Sequence, residues 1–159
     1  MQYLIGDIYG LIHLLASIVA LISGSLVLIM AKGTRRHKQV GYVYIAAMIL
    51  SLLTAFMIYR LFGGWGIFHY AALLSALTIV LGMIPALTQK PPTSWKYLHF
   101  SFMYWSVMGL YAAFVAELLT RVPDTPFYGM VGIATAAVMM LGGVFFAIKK
   151  SKWSRMLGN

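Results

Sequence analysis

The chain contains no cysteine, and only three of its 159 residues are acidic: Asp7, Glu117 and Asp124. Without cysteine there are no disulfides, thiolate metal sites or cysteine nucleophiles. Charge of either sign is scarce, at 9% of residues, where a soluble domain carries about a quarter. What fills the chain instead is apolar: 62% hydrophobic residues and a mean hydropathy of +0.87. No polar stretch is long enough to form a separate soluble domain, so the sequence reads as a single all-α integral membrane domain over residues 1–159. The net charge of +9 reports membrane topology in such a protein rather than nucleic-acid binding. The opening "MQYLIGDIYG" has no basic n-region and carries Asp7, so it is not expected to be a cleaved signal peptide.

Five apolar runs reach the roughly 20 residues that a helix needs to cross the hydrocarbon core. They cover Ile8–Met30, Val40–Phe62, Ile67–Leu87, Tyr97–Leu119 and Phe127–Ile148. They are too long for barrel strands, which leaves helices as the spanning structure. Pro85 is expected to kink or end the third. Lys32, Arg35, Arg36 and Lys38 lie in the first connection and Lys90 and Lys96 in the third. Lys149, Lys150, Lys152 and Arg155 lie in a basic tail over residues 149–159. Only Arg60 and Arg121 fall on the opposite side, and the three acids lie on or near it. The positive-inside rule then places the N-terminus outside and the C-terminus in the cytoplasm, in a multi-pass protein of the cytoplasmic membrane.

The first and third runs share a pattern. "HLLASIVAL" from His13 and "HYAALLSAL" from His69 both read H-x-x-A-x-x-x-A-L. The second and fourth also correspond: "HKQVGY" from His37 and "HFSFMY" from His99 both read H-x-x-x-x-Y, and these helices are expected to end at Arg60 and Arg121. The first four helices therefore read as an up-down bundle over about residues 8–121. It is built from two helical hairpins in the same orientation, about 8–62 and 67–121. Thr34 after Gly33 is an N-cap signal that starts the second helix early and puts His37 in its first turn. His13 and His69 then share the outer leaflet, His37 and His99 the inner one. Alternate helices of a bundle face each other diagonally, so the chain's four histidines form two diagonal pairs. His13, Ala16, Ala20 and Gly24 fall on one face, as do His69, Ala72 and Ala76, and small stripes of this kind permit close packing. On the fourth helix His99, Met103, Ser106 and Ala113 share a face, and Glu117 projects the same way, five turns on.

An intramembrane histidine is costly and marks a functional hypothesis. Each one alone has a plainer reading, as an interhelical hydrogen bond or an interfacial anchor. The joint pattern points to haem b, one or two groups, with two axial imidazoles each: His13 and His69 at the outer level, His37 and His99 at the inner. Two histidines alone make a poor zinc site. Arg35, Arg36 and Lys96, with Lys32 and Lys38, crowd the inner pair as candidate propionate partners, and Arg60 and Arg121 lie near the outer one. The fifth helix, 127–148, has no histidine. With Gly129, Gly132, Gly142 and Gly143 it reads as an additional packing helix and a candidate homodimer face.

With its four histidines so placed, residues 8–121 resemble the two-haem transmembrane cytochromes b of the ascorbate-reducible and quinone-linked kinds. That resemblance implies transmembrane electron transfer, a membrane oxidoreductase role and a quinone or other redox partner. Two departures stand out: His37 lies close to the loop, and His13 is separated from Lys32 by a helical rise on the order of 28 Å. The segments "KGTRRHKQVGYVY" and "YLHFSFMYWSVMGLYAAFVAELLTR" are also similar to those of a family of small bacterial integral-membrane proteins. That likeness implies a membrane location and no particular activity.

Two other classes compete. His13, His69 and Glu117 make the three-ligand set of a catalytic zinc hydrolase at the outer leaflet, with Asp7 as base, but this leaves His37 and His99 unexplained. Under the haem reading Glu117 is a candidate proton carrier. The plainer reading of Glu117 is an ion pair with Arg121, four residues on. A non-catalytic haem sensor or small transporter ranks third, because the midplane offers only single hydroxyls such as Ser51, Thr54, Ser75, Thr78 and Ser106.

Overall fold

The computed structural model describes residues 7–59 and 63–157, and these are all-helical apart from short connections. The five helices are α1 (Ile8–Ile29), α2 (Arg35–Ala55), α3 (Ile67–Thr88), α4 (Trp95–Leu119) and α5 (Phe127–Leu157). All five are long and apolar enough to cross a membrane. The expected all-α membrane architecture is therefore present.

Local chemistry sets the helix ends. Asp7 caps α1, its Oδ1 accepting from the Gly10 amide at 2.8 Å. At the other end the Lys32 ammonium donates to the Val27 and Leu28 carbonyls at 2.6 and 2.7 Å, two acceptors that the helix itself leaves open. Partial burial lowers the Lys32 pKa from its ordinary 10.5, since desolvation disfavours the charged form. Gly33, at φ +76°, makes the turn. Thr34 then caps α2 by accepting from the His37 amide at 3.1 Å, as the sequence suggests.

Two boundaries differ from expectation, those of the second and fifth helices. The second helix starts at Arg35 and stops at Ala55, so it does not run on to Arg60, which lies outside the described residues. Pro85 sits inside α3 without ending it. It is close enough to the C-terminus that only one carbonyl, on Leu81, loses its usual donor, and the Gln89 amide closes the last turn on Pro85 O at 2.8 Å. The fifth helix continues through the basic segment to Leu157. At 1.5 Å per residue the apolar run already spans the hydrocarbon core, so these last turns extend past it.

The chain divides into two compact units, the first ending at Ala76 and the second beginning at Leu77. In the first, α1 and α2 pack antiparallel: His13, near the start of α1, meets Ser51, near the end of α2. The α1 stripe of Gly10, Ala16, Ala20, Ser23 and Gly24 is buried, and on α2 so are Tyr44, Ala47, Met48, Ser51 and Thr54. Lipid gives no hydrophobic drive between helices, so small residues that let backbones approach, and polar bonds across the seam, carry the association. One such bond joins Ser17 Oγ and Ser51 Oγ at 2.8 Å. The outward residues are large and apolar, Ile22 and Leu53 among them.

In the second unit α4 and α5 are also antiparallel. The buried Tyr104 hydroxyl donates to the Gly142 carbonyl at 2.7 Å. Met108 lies over the same glycine, so closely that a Cβ at Gly142 would come within 2.9 Å of its sulfur. Farther along, Trp153 stacks into a cluster of Phe100, Tyr104, Phe145 and Phe146, with ring centroids 4.8 to 5.7 Å away. The C-terminal half of α3 meets α4 at Gly82, where a Cβ would sit 2.8 Å from the Met103 sulfur.

Candidate functional site

Three of the four histidines lie in the first unit and His99 lies in the second. His13 and His69 both gather at the C-terminal end of α2, at the common level that the sequence suggests. His13 reaches Ser51 and Thr54, while His69 lies against Phe56 and Tyr59.

Hydrogen bonds fix which nitrogen of each ring carries the proton. His13 Nδ1 is 2.9 Å from the Ser51 carbonyl oxygen and 3.2 Å from Thr54 Oγ1. A carbonyl only accepts, so His13 Nδ1–H donates and Nε2 keeps the lone pair. The Thr54 hydroxyl is turned back to its own helix, onto the Leu50 and Ser51 carbonyls at 2.8 and 2.9 Å. His99 repeats the arrangement on another helix pair: its Nδ1–H donates to the Gly82 carbonyl at 2.8 Å. Gly82 brings α3 close enough for this bond because it has no side chain to hold the helices apart.

His69 is the reverse case. The Gly66 amide donates to His69 Nδ1 at 3.0 Å, so in the neutral ring the proton sits on Nε2. The side chain is buried, at 4% exposure, and Nε2 finds no hydrogen-bond partner. Its faces are covered by Tyr59 at 5.2 Å and Trp65 at 5.5 Å, both nearly parallel to it.

His37 is half-buried in the first turn of α2. Arg35 and Arg36 are exposed beside it. Lys96 is exposed at the start of α4, with its ammonium 5.9 Å from the Trp95 ring centre. Glu117 is half exposed and bonded to Arg121 on the same helix, which is its plainer reading. Asp7 is the α1 cap. Among the described residues no three His, Asp or Glu side chains gather as a metal-holding group, so nothing supports the zinc set of His13, His69 and Glu117.

The sequence places each histidine near the start of its helix, as observed, but gives no indication of their tautomers. Those depend on Gly82, Gly66 and the Ser51 backbone, none of which carries a side-chain signal for the role. The aromatic sandwich around His69 is not anticipated in the sequence reading; the signal for it is Tyr59 and Trp65 flanking the α2–α3 connection.

Arranged in this way, His13 and His99 are each held by a hydrogen bond from Nδ1 to a backbone carbonyl. A backbone acceptor on one ring nitrogen is the usual support of an imidazole that binds metal through the other. Comparison with curated proteins and with solved structures returned no match. A family model does match, over residues 10–149, and the chain belongs to that family, described as predicted membrane protein (DUF2306).

Proposed function

We propose that this protein is a membrane haem protein of the cytochrome b kind, in which His13 and His99 supply the iron-ligating nitrogens and electrons pass within the membrane. The observation that carries the reading is the pair of Nδ1–H donations, from His13 to the Ser51 carbonyl and from His99 to the Gly82 carbonyl. Each fixes the ring's orientation and puts the proton of the neutral ring on Nδ1. A bound haem supplies one-electron chemistry, with its potential tuned by axial ligands and burial. The chain contributes an apolar, aromatic surround and, on the side rich in lysine and arginine, the exposed cations Arg35, Arg36 and Lys96 for carboxylate groups.

This reading is narrower than two bis-histidine centres. Ligation by His69 Nε2 would require the Gly66 bond to open and the ring proton to change nitrogen. His37 is left as a second inner imidazole at the start of α2. Glu117, held by Arg121, is assigned no step.

The test is substitution in protein purified from haem-supplied cells. His13→Ala and His99→Ala should each lower the haem-to-protein ratio by half or more, while Glu117→Gln should leave it unchanged. A spectrum indifferent to both histidine changes would overturn the assignment.

A further inference from the structure

One side of the α1–α2 pair carries a groove of about 260 Å³, lined by Val19, Ile22, Ser23 and Leu26 of α1 and by Val40 and Val43 of α2. It offers no free polar group, because the Ser23 hydroxyl donates to the Val19 carbonyl of its own helix at 2.6 Å. Ile22, Leu26 and Val43 stay exposed along it. A hydrocarbon cleft of this kind suits an alkyl chain, and what lies at its end narrows the occupant further. Arg36, Val40 and Val43 fall at i, i+4 and i+7, on one face of α2. Arg36 is exposed, with its backbone about 6 Å beyond Val40 along the helix axis. Arg35 is exposed next to it. The Lys32 ammonium, bonded to the last carbonyls of α1, adds charge at the same end. No acid occurs between Asp7 and Glu117 to offset these cations, and Asp7 caps the opposite end of α1.

The groove therefore has an apolar body and a cationic head. A second copy of the chain in the same orientation would fill the body but set its own Arg35 and Arg36 at the same level, like charge against like. A phospholipid with a net negative headgroup meets both demands. Basic pockets between membrane helices hold such headgroups, and an arginine guanidinium matches phosphate with paired hydrogen bonds. We infer that the α1–α2 groove and the Arg35–Arg36 cluster form a binding site for one anionic phospholipid. An acyl chain lies along Val40 and Val43, and the headgroup phosphate meets Arg36. Nothing in this site depends on the haem reading.

The experiment is native mass spectrometry of the detergent-solubilised full chain, equilibrated with dioleoyl phosphatidylglycerol or with dioleoyl phosphatidylcholine. The first phosphatidylglycerol is expected to bind about fivefold tighter than phosphatidylcholine or better. Arg36→Gln should weaken that binding about fivefold. Lys38→Gln, whose exposed side chain lies about 200° round the helix from Arg36, should weaken it less than about twofold. Val43→Trp fills the groove and leaves the charge alone, and should also cost about fivefold. Equal affinity for the two lipids overturns the proposal. So does a folded Arg36→Gln or Val43→Trp protein with unchanged affinity, and so do equal losses in Arg36→Gln and Lys38→Gln, which mean diffuse charge attraction without a site. A dimer mass that Val43→Trp abolishes assigns the groove to a second copy instead. If Val43→Trp does not fold, the contrast between Arg36 and Lys38 decides. Lipid and haem masses are read separately in the same spectra, so either claim can fail without the other.

Discussion

The chemistry of this protein depends on single atoms. Imidazoles on membrane helices are interchangeable at the level of the sequence, and the structure distinguishes them by the backbone group each ring meets. Two donate to carbonyls, on Ser51 and Gly82, and one accepts from an amide, on Gly66. The role of Gly82 can be tested directly. A leucine there would press on the Met103 sulfur, which a bare Cβ already approaches at 2.8 Å, and would push α3 from α4. Gly82→Leu is expected to cost about 1–3 kcal/mol of thermal or denaturant stability and to loosen the His99 bond. Gly41→Leu, where a Cβ meets nothing within 4 Å, should cost far less. The place of His13 near the start of α1 and the early start of α2 were legible in the sequence, because hydropathy and the Thr34 cap are local signals. The tautomers were not, because they depend on carbonyls and amides brought near by packing.

At the level of elements, the seams are built from small residues and a few polar bonds. Within the α4–α5 pair, Tyr104 is buried at 3% exposure and bonds Gly142 O. Tyr104→Phe should lose about 1 kcal/mol, close to the ordinary net worth of one hydrogen bond, as read by thermal unfolding in detergent. If the protein is unaffected, the bond contributes nothing and the seam is held by packing alone. The small stripe on α1 was readable from spacing, and its residues are the buried ones. Helix ends were less readable. Ala55–Phe56 carries no breaker, yet α2 stops there, and the α5 helix continues past its apolar run because lysine and serine do not interrupt helical backbone. Trp153 in its aromatic cluster fixes that extension to α4, a contact that composition alone does not announce.

For the whole molecule, charge asymmetry predicts an orientation with the N-terminus outside. The absence of native cysteine makes single-cysteine labelling clean. Cysteine at Thr93, between α3 and α4, should react with a membrane-impermeant maleimide only after cells are opened. Cysteine at Asp124, between α4 and α5, should react on intact cells. The opposite pattern would invert the topology and place the Arg35–Arg36 cluster outside. The membrane-spanning architecture was plain from hydropathy, because five separate runs exceed the spanning length. Family membership agrees with that and adds no chemistry.

The central claim is that imidazole nitrogens of this chain hold iron porphyrin within the membrane. The most direct measurement is a dithionite-reduced minus oxidised absorption spectrum of the unaltered protein, purified from haem-replete cells, with iron counted on the same sample. A Soret maximum and a sharp reduced α-band, with iron at one or two per chain, are the result the account predicts. A colourless, folded protein without iron would contradict it.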